Sequence, residues 1–412
     1  MRDSLTLNGP TWRRGLSFVL GAGMMYASLL TIEHYFAANF PASIWEGSIC
    51  DINAFFNCDA SAFSNIAAFG GVPMGYFGFA VGALVCLGAL FPSPAFERTN
   101  MFVVLINGIG VVSLLVYSVA WLGSLCLLCT AYYVCSLLAL ALFWRHGVGG
   151  TGRPLAMRFG RPSLKHLATA AVVVAFGAYG FAAYHVAKED AQSGAVASRV
   201  VEQFFSLPEV ADPSIISPYW AAKSTERFED APIRIIEYGD FLCPDCRYLV
   251  EQLDRLKEEF AGKINIAFQF FPLDAQCNGV VDKDKHPGAC DLSYMAAYDP
   301  NKFLDIHDEV FANLREAKAP EWRADLARRH GVEAGLTDPK TRELVDRIIR
   351  TGAEYEKTDE RYEHGIRSTP TMIINNRMVI GTLPYEQLRA IFEALVQEHE
   401  GKARFLESWV GS

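Results

Sequence analysis

The chain has 412 residues, with 37 Lys and Arg against 46 Asp and Glu, a net charge of −9, and 51% hydrophobic side chains. That is long for one domain, and the absence of a basic tract or nucleic-acid motif excludes nucleic acid as a partner. Residues 1–187 hold 9 basic and 6 acidic side chains, about +3, and residues 188–412 hold 28 and 40, about −12. A membrane-type half therefore precedes an acidic soluble half.

Five apolar runs, at about 15–36, 73–92, 101–122, 126–144 and 166–187, reach the roughly 20 residues needed to cross a bilayer. Arg13 and Arg14 before the first run, and small residues near Ala37 after it, imitate a signal peptide. Its apolar stretch is too long for one, and the later topology requires it to stay. No Arg- and Ser-rich transit peptide precedes it. Lys and Arg then set orientation. Arg2, Arg13 and Arg14 precede the first run, and Arg145, Arg153, Arg158, Arg161 and Lys165 follow the fourth. Residues 37–72 contain neither Lys nor Arg, only Glu46, Asp51 and Asp59. The N-terminus and the basic connection at 148–165 are predicted in the cytoplasm, with the 37–72 loop and the 123–126 turn outside. The fifth run then carries a tether at 188–224 and a soluble domain at 225–412 to the outer side.

Eight of the ten cysteines fall into four close pairs, and Cys86 and Cys135, inside apolar runs, read as small hydrophobes. Paired loop cysteines argue for an oxidising compartment. Cys50 and Cys58 flank an aromatic segment with Phe55 and Phe56, either a mobile shuttle or one structural disulfide. Cys126-Leu127-Leu128-Cys129 opens the fourth run, where three-residue spacing gives one helical face and the helix N-terminus favours a thiolate. A thiolate there could attack a quinone dissolved among acyl chains.

In the soluble half, Ile233–Phe241 reads as a buried strand. Cys243-Pro244-Asp245-Cys246 follows, and then a helix patterned on Leu249, Leu253, Leu256 and Phe260. At a helix N-terminus Cys243 should be the exposed nucleophile and Cys246 the resolving thiol. A strand at Ile264–Phe271, helical periodicity over 291–365, a strand after Pro370, a turn at Asn375-Asn376, a strand at Met378–Gly381 and a helix over 384–399 complete the domain. Cys277 and Cys290, in a Gly- and Asp-rich loop, read first as a structural disulfide and alternatively as a second relay pair. Zinc is disfavoured because no matching His/Cys cluster surrounds them.

Strand, C-x-x-C, helix and a distant Thr-Pro before a hairpin resemble the thioredoxin fold. The spacing to Pro370 leaves room for a helical insertion like that of DsbA-type oxidoreductases. The resemblance implies a cis Pro370 against the active disulfide. It also implies that Glu237 is the family's buried acid, the alternative being a mere strand-end carboxylate. Cys50-Asp51-Ile52-Asn53-Ala54-Phe55-Phe56-Asn57-Cys58, Ser64, Phe69-Gly70-Gly71-Val72-Pro73-Met74 and Cys126-Leu127-Leu128-Cys129-Thr130-Ala131-Tyr132-Tyr133 are similar to the vitamin K epoxide reductase (VKOR) family. The Leu-Leu centre departs from the Pro-Tyr of many bacterial members.

The fold class implied is an all-α membrane bundle, with a four-helix VKOR core over 1–147 and a fifth transmembrane helix over 166–187, then an α/β DsbA-like domain. The activity implied is disulfide-bond generation. Electrons would pass from reduced secreted or periplasmic proteins through Cys243/Cys246, Cys50/Cys58 and Cys126/Cys129 to ubiquinone or menaquinone in a bacterial cytoplasmic membrane. Cys129 would contact the quinone. Tyr133 would hydrogen-bond a quinone oxygen or serve as an interfacial aromatic, and Ser64 would lie near the redox site or cap a helix. A thiol-reducing or isomerising system, and a membrane-anchored binding protein with structural disulfides, are the alternatives.

Overall fold

The computed structural model describes residues 11–44, 55–146, 161–211, 213–216, 219–282, 284–355 and 365–401. They form two units, one of residues up to Ala38 with Phe56–Lys188, the other of Asn39–Phe55 with residues from Glu189 onward.

The first unit is helical apart from a short antiparallel hairpin of β1 (Ala68–Phe69) and β2 (Val72–Pro73). Among the described residues, four helices are long and apolar enough to cross a membrane: Trp12–Asn39, Ala95–Leu122, Leu127–Arg145 and Leu164–Ser193. The second expected span is the 17-residue helix Met74–Leu90, about 25 Å long and at the short end of the spanning range. Ser93 starts the next helix: its hydroxyl accepts from the Phe96 amide at 3.1 Å, and Pro94 supplies a first residue that needs no amide partner. That span closes in a π-type turn at Ser118–Leu122, and Gly123 breaks it in the left-handed region (φ 61°). The break leaves Ser124–Cys126 outside regular helix and lets a new helix begin at Leu127. The fifth helix meets the second at a close approach. Tyr76 donates its hydroxyl to the Val174 carbonyl at 3.0 Å, and a Cβ on Gly177 would overlap that hydroxyl. The basic connection expected at 148–165 lies mostly outside the described residues.

The second unit carries a five-stranded sheet with β3 (Tyr219–Lys223), β4 (Ile233–Gly239), β5 (Ile264–Phe270), β6 (Thr371–Ile374) and β7 (Arg377–Ile380) in the order β3-β5-β4-β6-β7. The β4/β5 pair is parallel, and the other three pairs are antiparallel. Both β4 and β5 are almost wholly buried, which explains why they read as continuous apolar runs. Asn375 and Asn376 take positive φ of 42° and 70° in a two-residue hairpin turn, a conformation asparagine tolerates. Asn375 also receives the Arg234 amide at 2.8 Å, tying the turn to the neighbouring strand. The helices between Ala289 and Ala353 form the insertion between β5 and β6.

Two differences from expectation concern boundaries. The tether region at 188–224 is mostly built structure: the fifth helix runs on to Ser193, Ala195–Ser206 is an amphipathic helix, and Tyr219–Lys223 is the edge strand β3. The start of the loop after the first span, residues 39–44, packs on this second unit. Pro41 offers its carbonyl to Gln192 and Gln387, and Ile44 donates its amide to Gln203 at 3.1 Å. Sequence composition showed only an acidic loop there.

Candidate active sites

A cavity of about 530 Å³ in the first unit brings together Cys58, Ser64, Cys126, Cys129 and Tyr133. Residues as far apart in sequence as Cys58 and Tyr133, 75 positions, thus face one space. Cys50 lies outside the described residues. Cys58 is fully buried and carries a disulfide, while Cys126 and Cys129 are free thiols. Cys126 sits at the helix entry, where its sulfur accepts the Cys129 backbone amide at 3.2 Å and its carbonyl accepts from Thr130. Unpaired amides at a helix start favour negative charge, so the sulfur occupies the position that best supports a thiolate. Tyr133, one turn beyond Cys129, lies beside the Ser118 side chain, and both border the cavity. Ser64 turns its hydroxyl onto the Ser61 carbonyl at 2.8 Å, back onto the preceding turn.

Sequence reading missed several cavity residues. Asn107, inside the third span, accepts from the Tyr132 hydroxyl at 2.8 Å and donates to Ser136 at 2.6 Å. An amide in a spanning helix was a signal in itself, because polar groups there need partners. His34 also borders the cavity, with Asp59 as its neighbour. A histidine near the end of an apolar run and the acid after Cys58 gave no sign of pairing.

The second unit holds the other predicted site. Cys243 precedes the helix Pro244–Glu259 and Cys246 lies in its first turn, both as free thiols. The Thr369–Pro370 bond is cis, and the Thr369 carbonyl lies 3.5 Å from Cys243 Sγ. The expectation of an exposed Cys243 is corrected: it is fully buried, beside Thr369 and within electrostatic reach of Lys318 from the insertion. The helical insertion and the cis-proline loop come from distant sequence, so C-x-x-C spacing alone could not reveal this cover. Burial pushes the Cys246 thiol up, and the Asp240 and Glu237 carboxylates add to this, while the Asp240 amide, 3.4 Å from the sulfur, opposes it. Burial also pushes Glu237 up to about 8, with Lys257 opposing. Lys318 is drawn down to about 8 by burial, against the pull of Cys243.

The loop carrying Cys277 and Cys290 braces this site. The two cysteines are disulfide-bonded. Between them, His286 places Nδ1 2.8 Å from Asp240 Oδ2, both side chains fully buried. Asp240 also accepts the Leu242 and Leu273 amides at 2.6 Å each, joining the loop to the strand end that leads into Cys243.

Two dithiols, one at a membrane cavity and one in a thioredoxin-type domain, define an oxidoreductase of the thiol–disulfide class. Residues 16–144 match the vitamin K epoxide reductase family and residues 228–394 match a thioredoxin family. The chain thus joins a VKOR-family membrane domain to a thioredoxin-family domain. It is 23% identical over 180 residues to disulfide bond formation protein D of Bacillus subtilis, covering 42% of this chain and 76% of the relative. To a probable disulfide bond formation protein D of Bacillus cereus it is 35% identical over 97 residues, 23% of this chain and 41% of that relative. The structure of alpha-DsbA1 T172V from Wolbachia pipientis aligns with 46% of this chain and 96% of its own, at 15% identity and a TM-score of 0.35.

Proposed function

We propose that the protein is a thiol:quinone oxidoreductase that generates disulfide bonds in secreted proteins, with its soluble redox partner built in. The supporting observation is the single cavity bordered by Cys58, Cys126 and Cys129. Its volume of about 530 Å³ falls within the range of small-molecule sites, and its walls are mainly apolar with a few polar side chains. Such a cavity suits a flat, lipid-soluble ring bearing two carbonyl oxygens. Bound there, ubiquinone or menaquinone would supply an acceptor for two electrons and two protons. Cys129 is the thiol assigned to it, with Tyr133 as hydrogen-bond donor and Ser64 in the supporting wall.

In this scheme a reduced periplasmic protein gives up two thiols to the Cys243–Cys246 disulfide and leaves oxidised. Cys50 opens the exchange with that pair, Cys58 passes it to Cys126, and Cys129 completes it. Each internal step trades one S–S bond for another, so only the last needs an outside oxidant. Overall, two client thiols and one quinone become one disulfide and one quinol. Pro370 holds its loop against Cys243, where an incoming sulfur must approach. The name of the Bacillus relatives supports the oxidative direction, and the Lys and Arg distribution supports an outward-facing soluble domain. Tethering keeps the partners at an effective concentration of about mM.

The test is anaerobic quinone reduction by the full chain in detergent, with a reduced, unfolded cysteine-containing protein as donor. Wild type should reduce the quinone, and Cys129→Ala and Cys243→Ser should not. An inert wild type whose Cys243/Cys246 pair is still reduced by free dithiol would instead favour a thiol-reducing system.

A further inference from the structure

The membrane cavity is bordered by a histidine, itself paired with a buried acid, that this scheme leaves unused. His34 borders the cavity alongside Cys58, Cys126 and Cys129, and its Nε2 stands 3.0 Å from Oδ1 of Asp59, the residue after Cys58. The approach lies off the line of a good hydrogen bond, and Asp59 Oδ2 has no hydrogen-bond partner among the described residues. Asp59 is 1% exposed. A carboxylate so buried is costly unless a neighbouring charge or donor answers it, and His34 is the basic group set beside it. The imidazole also lies close to the Cys58 backbone and within electrostatic reach of Cys126. A pair serving only as a structural clamp would saturate its bonds and turn away from the reactive sulfurs. This one leaves Asp59 Oδ2 without a partner among the described residues, and its imidazole borders the same cavity as the two cysteines that exchange must bring together.

Thiol exchange requires a proton to leave the attacking sulfur and another to reach the departing one. We infer that His34, oriented by Asp59, carries the proton in the exchange between Cys58 and Cys126. The inference rests on the proposed relay in taking that exchange as a step. The Cys58 thiol gives its proton to His34, and Cys58 Sγ bonds to Cys126 Sγ. The Cys126–Cys129 bond breaks, and the Cys129 sulfur takes the proton back. One S–S bond forms as one is lost, so no oxidant is consumed. With electrons running the other way, Cys126 attacks the disulfide that Cys58 carries and gives its proton to the same imidazole; the Cys58–Cys126 bond forms, the bond from Cys58 to its former partner breaks, and that partner's sulfur takes the proton.

The reverse direction can be isolated without quinone. In full-length Cys129→Ser, a jump from acid to neutral pH lets Cys126 attack, and the 58–126 mixed disulfide is counted by mass spectrometry after acid quench. Adding His34→Ala should slow its formation by about 100-fold, the lower end of general-base effects, and free imidazole should restore much of the rate. His34→Gln should stay slow with an unchanged melting temperature, and Asp59→Asn should fall between. A His34→Ala rate equal to that of Cys129→Ser alone would overturn the inference, as would slow formation that imidazole does not restore. If Cys129→Ser itself forms no 58–126 link, the relay step fails and takes the inference with it. A failure of quinone reduction alone leaves this readout intact.

Discussion

At the scale of single residues, environment assigns different tasks to similar groups. Cys126 has a backbone amide directed at its sulfur at 3.2 Å, whereas at Cys246 burial, with the Asp240 and Glu237 carboxylates, outweighs the more distant Asp240 amide and disfavours the thiolate. The chemistry-bearing residues were legible because dithiol spacing and the Thr-Pro position are local patterns. Their surroundings were not, because His34, Asp59, Lys318 and His286 come to the redox sites only through packing. Glu237 shows the energetic consequence. Its carboxyl is raised from 4.5 to about 8 by burial, so the native state holds a proton that the unfolded chain releases. That proton stabilises the fold below the ordinary carboxylate value, and the benefit is lost as pH rises toward 8, at a total of roughly 4–5 kcal/mol. Glu237→Gln should flatten the decline, so the melting temperature of the soluble domain in the full chain should exceed wild type at pH 8 and approach it at pH 5. A wild-type slope retained in the variant would show that Glu237 is not its source. Charge beside Cys243 should set its potential with opposite signs. Asp245 opposes a thiolate and Lys318 favours one, so Asp245→Asn should raise the reduction potential and Lys318→Met should lower it. Each should move by roughly 30 mV, equivalent to about 1.4 kcal/mol for two electrons, with the wild type more reducing than about −120 mV. Glutathione titration of the Cys243/Cys246 pair checks all three, and shifts of the same sign would remove the electrostatic explanation.

At the scale of elements, periodicity revealed the apolar helices and the strands because burial pattern is written directly into composition. It gave the hairpin too, since Asn-Asn marks a turn. What it could not give was the end of an element whose stop is tertiary. The third span closes in a π-type turn, the fifth continues past its apolar stretch into polar residues, and β3 is short enough to read as tether. Close approach of helices was equally hidden, because it depends on which small residue faces which large one. Gly177 against Tyr76 is the clearest case. Gly177→Ala should displace the Tyr76 hydroxyl from the Val174 carbonyl and destabilise the membrane unit by about 1–3 kcal/mol, the usual cost of overpacking. Tyr76→Phe removes the obstructing oxygen, so adding Gly177→Ala in that background should cost less. Thermal unfolding in detergent of the two single variants and the double variant measures the coupling, and strict additivity would mean the two residues do not meet.

At the scale of the whole molecule, charge asymmetry and the order of cysteine pairs made the two-domain organisation legible. The place of residues 39–44 was not, because it depends on two buried amides far away in sequence. Gln387, fully buried, donates to the Pro41 carbonyl at 2.6 Å and to Gln192 at 2.7 Å, while Gln192 reaches the same carbonyl at 3.1 Å. The chain entering the cysteine loop is thus fastened to the thioredoxin-type unit, although Cys58 belongs to the membrane unit. Fixing one end of a short loop reduces the conformations it must search before its sulfurs meet a partner. Gln387→Ala removes two hydrogen bonds, at a cost of about 1–3 kcal/mol in a buried setting. If the fastening serves the relay, the variant should lose about tenfold in quinone reduction driven by a reduced protein client. Reduction driven by a small dithiol that reaches the membrane thiols directly should stay near the wild-type rate. Equal loss with both donors would locate the damage in the membrane site. No loss with either, in a variant whose 39–44 segment has become sensitive to protease, would show that the anchor contributes to folding and not to electron transfer.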